Sequence, residues 1–146
     1  MVCGEYDMRY LFFLIIAFIV FAIFTISPAF SKELEMLDMW YSEDVTRVEV
    51  GETITWKPTV GGHNVHFVAW PEEYKMTQKP SGRIGQEYTI TLTEPGIYVY
   101  LCTPHVRHGM ISFIIVGDDI SNKDQIADTM LFGKSQTKLD EFVESL

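Results

Sequence analysis

Short runs of alternating or continuously apolar residues, separated by glycine and proline turns, occupy the middle of the chain. Residues 87–92 alternate polar and apolar, which predicts a strand with one solvated face. Residues 97–102 are continuously apolar, which predicts a strand buried on both faces. Further strands are predicted at 45–50, 53–56, 65–70 and 111–116. This spacing predicts an all-β protein, a β-sandwich, whose core should take up the tryptophans Trp40, Trp56 and Trp70.

The pattern changes after Gly117. Apolar residues then recur at steps of three and four positions, as on one face of a helix, and acidic residues fill the opposite face. We therefore predict two short helices within residues 118–146, separated at Gly133 and packed against the sandwich. Residues 71–86 are richer in Pro, Gly, Lys and Gln, which predicts a long connection between strands.

An uncharged apolar stretch, residues 11–26, lies near the N-terminus. Ala29 and Ser31 have the spacing of the small residues that signal peptidase reads, so residues 1–31 are predicted to be a signal peptide cleaved after Ser31. The alternative is an uncleaved hydrophobic helix that anchors the protein, although the stretch is shorter than the ~20 residues of a typical spanning helix. Both interpretations place residues 32–146 on the far side of the membrane, as a sandwich (32–117) and a helical extension (118–146).

The charge of the chain excludes one class of function. Eleven Lys and Arg against 20 Asp and Glu give a formal net charge of −9 at pH 7, so a nucleic-acid-binding role, which needs a basic surface, is excluded. Because Cys3 belongs to the predicted leader, Cys102 is the only cysteine of the exported part. A lone thiol in an oxidising compartment indicates a use such as metal binding.

The residues with the strongest chemical signal surround Cys102. Residues 102–110, called the 102–110 loop below, place the thiol of Cys102, the imidazole of His105 and the thioether of Met110 between two predicted strands. A second imidazole, His63, directly follows two glycines at the start of another strand. Two imidazoles, one thiolate and one weak thioether are the ligand set of electron-transfer copper sites. Zinc is the competing metal, but it wants four strong ligands and no second cysteine survives export.

These motifs resemble those of the cupredoxins, the type 1 blue copper proteins, and among them the pseudoazurins. The matching stretches are 62–65 (GHNV), 95–98 (PGIY), 102–105 (CTPH) and 109–110 (GM). The Cys-x2-His-x4-Met spacing resembles that of pseudoazurins rather than amicyanins, whose loop is shorter. The resemblance implies an eight-stranded Greek-key sandwich that ends in helices and holds one copper ion. It also implies a soluble periplasmic electron carrier.

The resemblance further implies roles for individual residues. Asn64 would tie the two ligand segments together through Thr103, and outer contacts of this kind tune a metal site. Tyr98 would pin a corner of the sandwich. The implied copper ligands are His63, Cys102, His105 and Met110.

Two loop residues depart from the pattern of the pseudoazurins. Arg107 and His108 stand where those proteins have small or apolar residues. His108 lies between two implied ligands and could compete for copper or titrate near neutral pH, but we expect an exposed imidazole. His66 is three residues beyond His63 on a strand, so it is expected on the opposite face and not among the ligands.

Two functions are consistent with these residues. The first is an electron carrier that docks through an apolar patch around His105, formed by Gly62, Pro104, Val106 and Gly109, onto c-type cytochromes or copper- or haem-containing reductases and oxidases. The second is a protein for periplasmic copper storage or delivery. An enzyme is not expected, because a second copper would need more than the four histidines present. We expect a monomer that contacts the membrane only if the leader is uncleaved.

Overall fold

The structure, a computed structural model, describes residues 30–146. The predicted leader and its apolar stretch lie outside this range. Within it, no helix combines the length and the apolar character needed to cross a membrane. The strands are β1 (Ser31–Met36), β2 (Val45–Val48), β3 (Thr53–Pro58), β4 (His66–Ala69), β5 (Tyr88–Thr91), β6 (Gly96–Leu101) and β7 (Ile111–Val116). The helices are a 3₁₀ helix (Thr103–His108), α1 (Lys123–Ala127) and α2 (Lys134–Glu144).

The strands form two sheets. One has the order β1-β3-β5 and the other the order β2-β7-β6-β4. The pairs β1/β3 and β2/β7 are parallel, and the remaining neighbours are antiparallel. Because the first six strands alternate between the two sheets along the chain, the connections cross repeatedly from one sheet to the other, as in a Greek-key sandwich. The predicted all-β fold class is therefore confirmed.

Aromatic side chains from both sheets fill the space between them. Trp56 of β3 is fully buried, and its ring lies edge-on to those of Tyr100 and Phe67, at centroid distances of 5.0 and 5.8 Å. β5 alternates buried and exposed residues and β6 is buried throughout, as their sequence patterns predict. The Tyr98 hydroxyl donates to the Glu94 carbonyl at 2.8 Å, across the turn that precedes β6.

The two C-terminal helices cover the outer face of the four-stranded sheet. Ile126 of α1 and Leu139 of α2 are fully buried against this face. The ring of Phe142 stacks on that of Phe113 in β7, with centroids 3.9 Å apart. This cover explains why β6 and β7 are apolar at every position, since each strand contributes one face to the sandwich core and the other to the helices.

β1 is absent from the sequence-based prediction. Lys32, Glu33 and Glu35 have low strand propensity and mask the alternation. In the structure Leu34 and Met36 are nevertheless buried in the core. The ladder with β3 starts at Ser31, so the predicted boundary between residues 31 and 32 falls one residue inside the strand.

Two further expectations need correction. The described residues contain seven strands rather than the implied eight, because the connection 71–86, rich in Pro and Gly, makes only one isolated bridge, between Ser81 and His66. Trp40 is not a core residue. Its side chain is 53% exposed, since it lies in the connection that follows β1 rather than on a strand.

Candidate metal centre

The 102–110 loop connects β6 to β7, and the antiparallel pairing of these strands brings its two ends together. The last pair of the ladder is Leu101 with Ile111, and beyond it the Cys102 N–H donates to the Met110 carbonyl at 2.9 Å. Cys102 and Met110 therefore face each other at the base of the loop, although eight positions separate them in the sequence. Both residues are fully buried.

His63 reaches the same end of the sandwich from the connection between β3 and β4. Gly62, just before it, has a φ of 92°, a left-handed conformation that glycine adopts without strain. The Gly85 N–H donates to the His63 carbonyl at 2.7 Å and fixes the backbone behind the ring. His63 is only 2% exposed, whereas His105, on the loop, is half-buried.

Two imidazoles and one thiol converge at this end. The Nδ1 atoms of His63 and His105 lie 3.1 Å apart, and the Cys102 Sγ lies 3.7 Å from the first and 3.4 Å from the second. The point equidistant from these three atoms lies about 2.0 Å from each, close to the metal–nitrogen distance of ~2.0–2.1 Å and somewhat short of the metal–sulfur distance of ~2.3 Å. The triangle is therefore the right size for one transition-metal ion.

The surroundings set the protonation of these groups. Burial lowers the pKa of His63, and the nearby His105 lowers it further, while Asp38 opposes the shift. Neutral imidazole is the form that binds a metal. Burial raises the pKa of the Cys102 thiol, although the backbone N–H groups of Asn64 and His105 near the sulfur partly offset this. The thiol is therefore protonated near neutral pH, and a metal must displace its proton.

Asn64 links the two segments that carry these groups. Its side-chain Oδ1 accepts hydrogen bonds from the Thr103 N–H at 2.9 Å and the Thr103 hydroxyl at 3.1 Å. Its Nδ2 donates to the Gly82 carbonyl at 3.2 Å. Asn64 is 3% exposed, so its side of these bonds is shielded from bulk water, although Thr103 itself is exposed.

Sequence reasoning missed Tyr41. Its hydroxyl donates to the Asn64 carbonyl at 2.7 Å, and its ring lies edge-on to that of Tyr100 with centroids 4.7 Å apart. Burial raises the pKa of this hydroxyl well above its usual value, so it stays a donor. Tyr41 follows β1 at a distance of 22 residues from His63, and no motif in its neighbourhood signals the contact.

The other two histidines do not join the cluster. Among the described residues, the group that could hold a metal ion comprises His63, Cys102 and His105. His66 lies on β4, and its buried Nδ1 has no hydrogen-bond partner in residues 30–146. His108 is exposed, with its ring centroid 6.2 Å from that of His105.

Comparison with known proteins identifies the family. Residues 29–117 match the model of the copper binding proteins of the plastocyanin/azurin family. The chain belongs to this family. It is 32% identical to pseudoazurin from Paracoccus pantotrophus over 124 residues, which cover 78% of this chain and 83% of that protein. It is 36% identical to amicyanin-alpha from Methylorubrum extorquens over 80 residues, which cover 54% and 67% of the two chains.

A solved structure extends the likeness to the whole fold of this cupredoxin. The native pseudoazurin from Hyphomicrobium denitrificans has a TM-score of 0.67 to this structure at 26% sequence identity, and the match covers 80% of this chain and 98% of that one. Members of this family bind one copper ion. Copper prefers imidazole nitrogen and thiolate sulfur as ligands, and the triangle of two imidazole nitrogens and one sulfur supplies them.

Proposed function

We propose that this cupredoxin is a periplasmic electron carrier whose copper ion is held by His63, Cys102, His105 and Met110. The observation that carries the proposal is the convergence of the two Nδ1 atoms and the Cys102 Sγ within 3.7 Å of one another. Copper supplies a one-electron couple between Cu(I) and Cu(II). Met110, buried at the base of the loop, is the proposed weak fourth ligand.

The chain's own residues keep this site closed and rigid. His63, Cys102 and Met110 are nearly or fully buried, so the protein rather than solvent surrounds the ligands on most sides. Asn64 and Thr103 hold the two ligand segments together. His105 is the most exposed of the four, and its ring edge is the proposed route by which electrons enter and leave.

Exposed apolar side chains near this end form the proposed docking surface. Pro104 and Gly62 are exposed and Val106 is half-buried, as the sequence analysis expects of a patch around His105. Gly109, which the sequence analysis places in this patch, does not belong to it, because it is buried against Lys134. Additional exposed apolar residues lie in the connections at this end: Trp40, Val60 and Ile84.

The charges of this acidic chain are distributed unevenly between its two ends. An acidic group of Glu49, Glu52 and Asp118 lies at the far end, where β2 and β7 finish, although Arg47 there pairs with Asp118 at 2.6 Å. Three exposed cations, Arg83, Arg107 and Lys134, lie in the segments around the candidate metal centre, together with the exposed carboxylate of Asp38 near His63. This polarity favours a redox partner with an acidic rim, which it would orient during encounter. We propose c-type cytochromes or copper- or haem-containing reductases and oxidases as the partner class.

Copper storage or delivery is the competing function. A delivery site must exchange its metal with a partner, which favours open ligands on the surface. The burial of three of the four proposed ligands favours a metal that stays in place while electrons pass. We therefore propose that this chain is not a metal donor. We also propose that it is not an enzyme, because its four histidines are too few to bind the second copper of a copper enzyme.

The N-terminal segment is proposed to be an export signal that delivers residues 32–146 to the periplasm. The sandwich comprises residues 32–117 and the helical extension residues 118–146. The strand β1 refines this proposal, because the Phe30 carbonyl accepts the Thr53 N–H at 3.2 Å and Ser31 opens the ladder. A cut after Ala29 would preserve both contacts, and mass spectrometry of the exported protein distinguishes it from a cut after Ser31.

Spectroscopy of the copper-loaded protein tests the proposed function. The full-length chain is expressed in a Gram-negative host and loaded with Cu(II), and its visible absorption and EPR spectra are compared with those of Cys102→Ser. We expect intense blue or green colour and a compressed copper hyperfine splitting, both lost in the variant because the thiolate is their source. A pale, ordinary Cu(II) spectrum of the wild-type protein would refute an electron-transfer site. Rapid removal of Cu(I) by a chelator would instead favour delivery.

A further inference from the structure

The first turn of α2 contacts the backbone of the 102–110 loop. Ser135 has no exposed surface, and its hydroxyl donates a hydrogen bond to the Val106 carbonyl at 2.5 Å. Val106 follows His105 and precedes Met110 in the loop, so this bond acts on the segment that joins two of the proposed ligands. Nothing in the sequence pattern of residues 118–146 singles out Ser135.

Two glycines allow the helix to come this close. Gly133, just before α2, has a φ of 62°, and a Cβ atom there would lie 2.6 Å from the Arg107 carbonyl oxygen. A Cβ atom on Gly109, whose φ is 89°, would lie 3.1 Å from the Cβ of Lys134. The start of the helix therefore fits closely against the loop, with no space for a side chain at Gly133 and little space at Gly109.

The body of α2 is anchored to the sheet that carries the ligands. Leu139 is fully buried, and Phe142 stacks on Phe113 of β7 with ring planes 5° apart. β7 begins directly after Met110, and its partner β6 ends directly before Cys102. The helix thus bridges the sheet and the outer side of the loop, which supports the loop from a fixed element.

We propose that Ser135 is a positioning residue for the copper site. By holding the Val106 carbonyl, its hydroxyl fixes His105 relative to Met110 and limits how far the loop relaxes when the copper changes oxidation state. The inference rests on the proposed function and deepens it. Within the loop, the same carbonyl accepts the Gly109 N–H at 3.2 Å, so loss of the hydroxyl leaves a folded loop with more freedom rather than an open one.

Ser135→Ala tests this inference, with Ser145→Ala as the matched control. Ser145 lies just after the same helix, and its hydroxyl also donates to a backbone carbonyl, that of Phe142, at 2.6 Å, but at the end of α2 away from the loop. Full-length copper-loaded proteins are compared by the ratio of their thiolate-to-copper absorption bands, their EPR spectra, their reduction potentials and their rates of copper loss to a chelator. Unfolding of the copper-free proteins measures the structural effect separately.

We expect Ser135→Ala to change the band ratio and the reduction potential and to speed copper loss about fivefold, the effect of one lost neutral hydrogen bond. Ser145→Ala should match the wild type in all three. Ser135→Thr, which keeps the hydroxyl, should restore the wild-type signature. Gly133→Ala should change the band ratio, the reduction potential and the rate of copper loss although Ser135 is still present, because the new Cβ atom presses on the Arg107 carbonyl.

The result that overturns the inference is a Ser135→Ala protein that unfolds more easily but keeps the wild-type spectrum, potential and rate of copper loss. In that case Ser135 only stabilises the fold. The wild-type spectrum separates this failure from that of the proposed function. A wild-type protein without thiolate-to-copper bands refutes both proposals, whereas normal bands with an unresponsive Ser135→Ala refute only the positioning role.

Discussion

Replacement of Asn64 by alanine tests how strongly the two ligand segments are linked without copper. The substitution removes four hydrogen bonds. Three are 3.2 Å or shorter, from the Thr103 N–H and hydroxyl and to the Gly82 carbonyl, and the fourth, to the Ser81 hydroxyl, is 3.4 Å long and is counted as negligible. At about 1 kcal/mol for each bond, the free energy of unfolding should fall by about 3 kcal/mol. With a typical urea dependence of about 2 kcal/mol/M, the midpoint of unfolding should move down by about 1.5 M.

The assay is urea unfolding of the copper-free, full-length protein, because bound metal would add its own stabilisation. Thr103→Ala is the control. It removes only the hydroxyl bond and keeps the backbone bond to Asn64, so its expected cost is about 1 kcal/mol. The double variant should cost no more than Asn64→Ala alone, since the bond lost in Thr103→Ala is already absent there.

Equal destabilisation by Asn64→Ala and Thr103→Ala would refute this reasoning. It would mean that the bonds to the Thr103 N–H and the Gly82 carbonyl contribute nothing measurable. Fully additive effects in the double variant would refute it in a second way, because Asn64 and Thr103 would then not share a bond.

Three further measurements follow from the structure. Because burial raises the pKa of the Cys102 thiol, copper binding should release a proton, and the affinity for copper should rise by up to about tenfold for each pH unit below that pKa. Competition with a chelator at several pH values measures this dependence. A copper affinity that does not change with pH would contradict it. Phe142→Ala removes a ring stacked on Phe113 and should cost about 3–5 kcal/mol in urea unfolding, while Phe132→Ala, at a 67% exposed position, should cost little. Met110→Gln should keep copper bound and lower the reduction potential by voltammetry, because a harder oxygen ligand favours Cu(II); an unchanged potential would exclude Met110 as the axial ligand.

The sequence determined the parts of this protein that depend on neighbours along the chain. The alternation of residues 87–92 and the continuous apolar run 97–102 specified a half-buried and a fully buried strand, because side chains on a strand alternate between faces. The 102–110 loop likewise indicated a metal site, since a cysteine, a histidine and a methionine on one short connection must stay close together.

Only the tertiary structure decided which distant segments meet. β1 is a strand because its parallel pairing with β3 and its two buried side chains outweigh its charged residues, a balance that local propensity does not contain. Tyr41 contacts the segment that carries His63 from 22 positions earlier in the chain. Ser135 contacts Val106 in the 102–110 loop from 29 positions later. Such contacts depend on sheet register and helix packing, which the whole chain sets together, so no motif near either residue could reveal them.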